Sequence, residues 1–170
     1  MIEMELIGVR VELPANQPIV LLKERAGSRY LPIWIGAVEA TAIAFALQGV
    51  ETARPLTHDL FVDVLEELGA ELVAVHVTEL RDGTFYAELQ LLRGEETFTI
   101  SARPSDAIAL VARIGEVPIL GAPHVLDEAG IEIDDVDEDG EAAEGEDPEE
   151  EVRQFREFLD DVTPEDFREQ

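Results

Sequence analysis

From Asp127 onward the chain is too uniformly charged to collapse, and this decides how much of it can fold around a core. The run "DEAGIEIDDVDEDGEAAEGEDPEEE", residues 127–151, holds fifteen acids and no base. Mutual repulsion along such a run opposes compaction, so a mobile linker is expected there. Residues 127–170 carry 21 of the chain's 39 acids and three of its 12 bases. The core must therefore come from residues 1–126, which suffice for one domain. The expected organisation is a folded domain at 1–126, an acidic linker at 127–147 and a helical extension at 148–170. In that extension Pro148 and the glutamates after it suit a helix start, and Val152, Phe155 and Leu159 share one face. Thr163, Pro164 and Asp166 write a second helix start. The plain reading of the tail is a solubilising spacer whose helix docks on its own domain or on a neighbouring subunit. A basic protein partner for the acids is the alternative.

Within the first 126 residues the hydrophobic period changes several times. Residues 2–13 alternate, with a break at Gly8 that suggests a bulge. "QPIVLLKE" and "RYLPIWIG" read as two further strands joined by the turn-prone "RAGS", and Pro32 assigns the second an edge or irregular position. "AVEATAIAFALQG" (37–49) then reads as a helix. "THDLFVDVLEELGA" (57–70) is a clearer one, with Leu60, Val64 and Leu68 on one stripe and Phe61 and Leu65 widening it. Strands are expected at 71–80, 84–92 and 96–102, a third helix at 105–115 and a short strand at 117–121. The order is not a regular strand–helix alternation. It predicts the α+β class: a mixed sheet of about six to seven strands with three main helices packed on it.

Several chemistries are excluded. There is no cysteine, hence no disulfide, thiolate metal site or cysteine nucleophile. No glycine-rich phosphate loop follows a strand, and no Gly-x-Ser-x-Gly elbow is present. No apolar run approaches the roughly 20 residues that span a bilayer, and the N-terminus has no targeting character, so a cytoplasmic protein without membrane contact is expected. A net charge of −27 repels nucleic acid at long range, so any phosphate chemistry needs local arginines or a bridging cation.

Such arginines occur in a repeated corner. "ARPLTHDL" (53–60) and "ARPSDAIAL" (102–110) each set an arginine and a proline ahead of a hydroxyl residue, an acid and a helical run. Proline fixes the chain before the helix, Thr57 and Ser105 are placed to cap, and Asp59 and Asp106 favour the positive end of the helix dipole. Helix-starting grammar thus accounts for all but Arg54 and Arg103. Those two either latch onto the neighbouring aspartates or prepare an anion site at the helix start. His58 and Asp59 are adjacent and face different ways, so each must look elsewhere for a partner. Glu39, Asp59 and Asp106 together would suit Mg²⁺ or Mn²⁺, with His58 as ligand or general base. His58, Asp59, Arg54, Arg103 and Asp106 are the candidate catalytic residues on this reading, and Glu39, Asp59 and Asp106 the candidate metal ligands. A lone histidine at a helix start has the simpler role of a structural donor. His76 and His124 show no partner pattern.

"LPIWIGAVEATAIAFALQG" (31–49), "RPLTHDLFVDVLEELGA" (54–70), "FYAELQL" (85–91) and "SARPSDAIALVARIGEVPIL" (101–120) together resemble the bifunctional nuclease domain family of bacteria and plants. The resemblance runs unbroken over about residues 1–125, and "FREFLDDVTPEDF" is similar to the C-terminal extension of bacterial members. Val111, where many relatives have alanine, is the one visible departure in the last of these segments. The resemblance implies hydrolysis of phosphodiesters in DNA and RNA. Our reading of charge and position adds a divalent cation on the carboxylates and Arg54 or Arg103 steadying the phosphate. Two other functions compete: a non-enzymatic module that binds an anion or a protein partner, and a pair of structural latches within a homo-oligomer interface.

Overall fold

The computed structural model describes residues 1–12 and 16–132. The expectations for most of the acidic linker and for the C-terminal helices lie outside the described residues. Eight strands and four helices are described: β1 (Ile2–Glu12), β2 (Gln17–Glu24), β3 (Arg29–Trp34), α1 (Ala37–Leu47), α2 (Thr57–Glu67), β4 (Glu71–Arg81), β5 (Thr84–Arg93), β6 (Glu96–Ala102), α3 (Pro104–Ile114), β7 (Ile119–Gly121), α4 (Pro123–Ala129) and β8 (Ile131–Glu132). The α+β class is as expected, but with one more strand and one more helix than the sequence pattern suggested. Both additions follow Leu120, where elements of seven and two residues are too short to display a period. They also carry the ordered chain past the expected boundary at 126. Asp127 lies inside α4, where it accepts a hydrogen bond from Arg29 of β3 at 2.9 Å.

All eight strands form one sheet in the order β6-β5-β4-β7-β1-β2-β3-β8. Only β4 and β7 pair in parallel; the other pairs are antiparallel. The hairpins come from short turns, and the long-range step is the insertion of β7 between β1 and β4. The bulge expected at Gly8 is present, since the β1–β2 register shifts between Leu6 and Gly8. Pro32 pairs with Leu21 of β2, while β8 reaches only Arg29 and Tyr30, so on its outer side Pro32 has no ladder to interrupt.

The core is aliphatic, built from Val20, Leu22, Leu31, Ile33, Ile43, Val75, Val77, Ile108, Leu110 and their neighbours. In β5, Ala87, Leu89 and Leu91 are buried and alternate with half-buried polar residues, the pattern of a strand with one face on the core. α3 is the central helix: Ala107 through Val111 are all buried, and it packs on α1, α2, β4 and β5. Gly49 and Gly69 end α1 and α2 in the left-handed conformation that side chains disfavour. The stripe Leu60, Val64 and Leu68 of α2 is exposed, and Leu65 alone in that helix is buried. No helix among the described residues is long and apolar enough to cross a membrane.

Candidate functional site

The two arginine–proline corners meet. Pro104 occupies the first position of α3 and Arg103 its N-cap, so Ser105 falls one place inside the helix and is buried. In α2 the N-cap is Leu56, and Thr57 is the first helical residue. The expected hydroxyl caps are therefore absent: neither N-cap side chain caps the backbone N–H groups of its own helix. At α2 the capping falls to Asp59, whose Oδ2 accepts the Leu56 backbone N–H at 2.8 Å.

Asp106 is the hub. Its Oδ2 and Oδ1 accept hydrogen bonds from Arg103 Nε and Nη2 at 2.7 and 3.0 Å, a bidentate fork. His58 Nε2, from the other corner, lies 3.1 Å from Asp106 Oδ1. Arg103 Nη1 also donates to Glu39 Oε1 of α1 at 2.7 Å. Gly36 makes room for that contact, because a side chain there would collide with the Glu39 carboxylate. Three helix starts thus contribute to one chain of contacts: Glu39, Arg103, Asp106, His58. The Arg103 side chain is 65% exposed and that of His58 17%, so the network faces solvent and is not an interior strut.

The geometry selects the tautomer of the neutral ring. A carboxylate accepts only, so the proton of a neutral His58 sits on Nε2 and Nδ1 carries the lone pair. Nδ1 has no hydrogen-bond partner among the described residues. A base oriented by a carboxylate beside an exposed guanidinium can take a proton from water and hold charge on an oxyanion.

Asp59 belongs to a different unit. It pairs with Arg113 of α3, a residue the sequence reading did not single out. Arg113 also donates to the Ala42 and Ala109 carbonyls at 3.1 and 2.9 Å, and its side chain is 9% exposed. One buried guanidinium therefore ties α1, α2 and α3 together. The signal was present in the sequence: an arginine within the apolar run of α3 has to find partners when the helix is buried. Arg54 is exposed, and its guanidinium makes no hydrogen bond or ion pair among the described residues.

The expected metal ligands do not fit a cation in this arrangement. Glu39 and Asp106 both turn oxygens onto Arg103, and Asp59 turns onto Arg113. Among the described residues no group of three or more histidine, aspartate or glutamate side chains is set to hold a metal ion. A groove of about 450 Å³ lies elsewhere, where Leu6, Leu47, Val111 and Val117 line the C-terminal end of α3, and it takes in none of these candidate residues.

Burial acts to raise the Asp106 carboxyl, but hydrogen bonds from Arg103 and His58 outweigh it and hold the group below its ordinary range. Asp59 behaves alike: burial raises it, and Arg113 with the Leu56 N–H lowers it further. A carboxylate depressed in the folded state adds stability that is complete above its unfolded pKa, about 3.9, and is lost as pH falls through the folded value. Protonating the other acids relieves repulsion, so only a comparison isolates the two. Between pH 6 and pH 2.5 the wild type should lose its melting-temperature advantage over the Asp59→Asn, Asp106→Asn double variant, with the gap beginning to close near about pH 4. Parallel melting curves would remove both carboxylates from the acid-side balance.

Comparison with known proteins agrees with this chain of motifs. The profile of the bifunctional nuclease domain matches residues 20–134. An uncharacterized protein of Mycobacterium tuberculosis, found in two strains, is 50% identical over 98% of both chains. Bifunctional nuclease 2 of Arabidopsis thaliana is 32% identical across 61% of this chain and 32% of its own length. Bifunctional nuclease 1 of the same plant is 28% identical across 62% and 33%. The match spans both arginine–proline corners and every helix of the described fold, and the chain belongs to the bifunctional nuclease domain family.

Proposed function

We propose that this domain hydrolyses phosphodiester bonds in DNA and RNA, with His58 as general base, Asp106 as the group that orients it, and Arg103 and Arg54 as phosphate-binding cations. One observation carries the reading: His58 and Asp106, 48 residues apart in sequence, lie within hydrogen-bond distance beside a guanidinium that faces water. Membership of the family and the names of the plant relatives support the substrate class.

In this mechanism water attacks phosphorus as His58 Nδ1 takes its proton. The new P–O bond forms, the bond to the leaving sugar oxygen breaks, and the leaving oxygen is protonated from the imidazolium or solvent. Arg103 is held by two carboxylates, so it offers a fixed guanidinium with few spare N–H groups and little free charge. Arg54, without such partners, supplies the net positive charge an incoming phosphate requires.

The test uses the purified full chain with end-labelled single-stranded DNA and RNA, each with Mg²⁺, Mn²⁺ or EDTA. Multiple-turnover cleavage of both polymers is expected. Strict dependence on a cation would mean that Glu39 and Asp106 exchange Arg103 for the ion. If neither polymer is cut under any condition while inorganic phosphate raises the melting temperature, the site binds anions without turnover, and the hydrolytic reading fails.

A further inference from the structure

β6 is the outer strand of the sheet, and its first six residues, Glu96–Ser101, are all exposed although two of them are large and apolar. Phe98 and Ile100 are 38% and 44% exposed. They stand opposite Leu91 and Leu89, which are buried, so they continue the core face of β5 to an uncovered edge. Edge strands are ordinarily blunted by lysine, proline or a bulge. Here Thr97–Ala102 carries none of these and no charge, in a chain that is 30% charged.

We propose that the chain self-associates by pairing β6 with β6 of a second copy across a two-fold axis at Thr99. The direction of the backbone groups follows from the hairpin. Counting by twos from Arg93–Glu96, the pair that closes the two-residue turn, Phe98 and Ile100 bond toward β5, and Thr97, Thr99 and Ser101 turn N–H and C=O outward. An antiparallel copy centred on Thr99 places Thr99 opposite Thr99 and Thr97 opposite Ser101, so every outward donor meets an acceptor. The intervening positions set Phe98 against Ile100 of the copy at the closer, non-hydrogen-bonded spacing, a favourable aromatic–β-branched pair. The Phe98 ring is already held by the Arg93 guanidinium, 5.1 Å from its centroid.

Charge selects this occupant. Two copies at −27 repel everywhere acids dominate, and they approach at least cost along an uncharged strand. A basic partner would be drawn to acids, which this strand lacks after Glu96. One strand per copy buries less than the roughly 800 Å² per partner of a stable interface, so dissociation in the micromolar range is expected. The proposal does not depend on the catalytic reading.

The experiment is sedimentation of the full chain between about 1 and 500 µM, a range that brackets micromolar dissociation. The wild type should pass from monomer to dimer. Thr99→Lys places like charges face to face at the axis and should weaken association about tenfold or more, as should Thr99→Glu. A mixture of the two should restore it by opposite charge. Thr99→Pro, which removes an outward N–H together with the hydroxyl that bonds Gln90, should also weaken it. Circular dichroism confirms that each variant is folded. A wild type that stays monomeric to 500 µM overturns the proposal, and so does a dimer that Thr99→Lys and Thr99→Pro leave equally tight.

Discussion

Replacing Asp106 by asparagine should reduce the turnover number for phosphodiester cleavage by about 10²–10⁴-fold, with little change in KM. The carboxylate has two tasks that an amide performs badly. It accepts from His58 Nε2 and so keeps the lone pair on Nδ1, and it stabilises the imidazolium that forms once the proton arrives. Asparagine is the same size but has one oxygen: set at the Oδ1 position it leaves Arg103 Nε against N–H₂, turned over it sets N–H₂ against His58, and in either pose the negative charge is gone. His58→Ala should give a loss of similar size, and added imidazole should restore part of it, because the missing group is a diffusible base. A structural role would not produce that rescue. If Asp106→Asn melts like the wild type and cleaves at the same rate, His58 and Asp106 are not the base and its support.

Much of this arrangement was legible beforehand, for reasons that lie in local grammar. A proline ahead of the helix, an acid in the first turn and a glycine at the end mark helices wherever they occur, so α2 and α3 were located to within a few residues from 54–70 and 101–115, although Pro104 proved to lie inside its helix. The convergence of the corners was posed by their likeness, but only the sheet order places α2 and α3 side by side. What stayed hidden was long-range choice. Period tells which residues share a face and not what that face meets, so the Leu60–Val64–Leu68 stripe turned outward while Leu65 went in. Sequence proximity made Arg103 the natural latch for Asp106, which it is. The same argument would have given Asp59 to Arg54, whereas Asp59 takes Arg113, 54 residues away. A buried helix carrying one arginine must supply that arginine with acceptors, and this obligation outweighs a neighbour that water already solvates.

That obligation sets the second large effect. Arg113→Ala should destabilise the fold by about 2–3 kcal/mol, at the lower end of what breaking a buried pair costs, because water still reaches Asp59. For a domain of this size the melting temperature should fall by roughly 5–15 °C. The guanidinium joins three helices through Asp59 and the carbonyls of Ala42 and Ala109, so its removal leaves three acceptors short of a donor and a void at the α1–α3 contact. Asp59→Ala should cost a similar amount by another route, losing the Leu56 cap, worth about 1 kcal/mol, and stranding a charge whose side chain is 9% exposed. Both changes remove one shared pair, so the double variant should be less destabilised than the two single losses added together. Arg54→Ala, on an exposed side chain without an ion-pair partner among the described residues, should leave the melting temperature within about 1–2 °C of the wild type while weakening phosphate binding. The contrast separates the two arginine roles by measurement: melting curves for Arg113, substrate affinity for Arg54. Should Arg113→Ala melt with the wild type, the three-helix tie is not what holds α2 to the domain, and the position of His58 against Asp106 must be fixed by the packing of Leu65 and Val62 on the core.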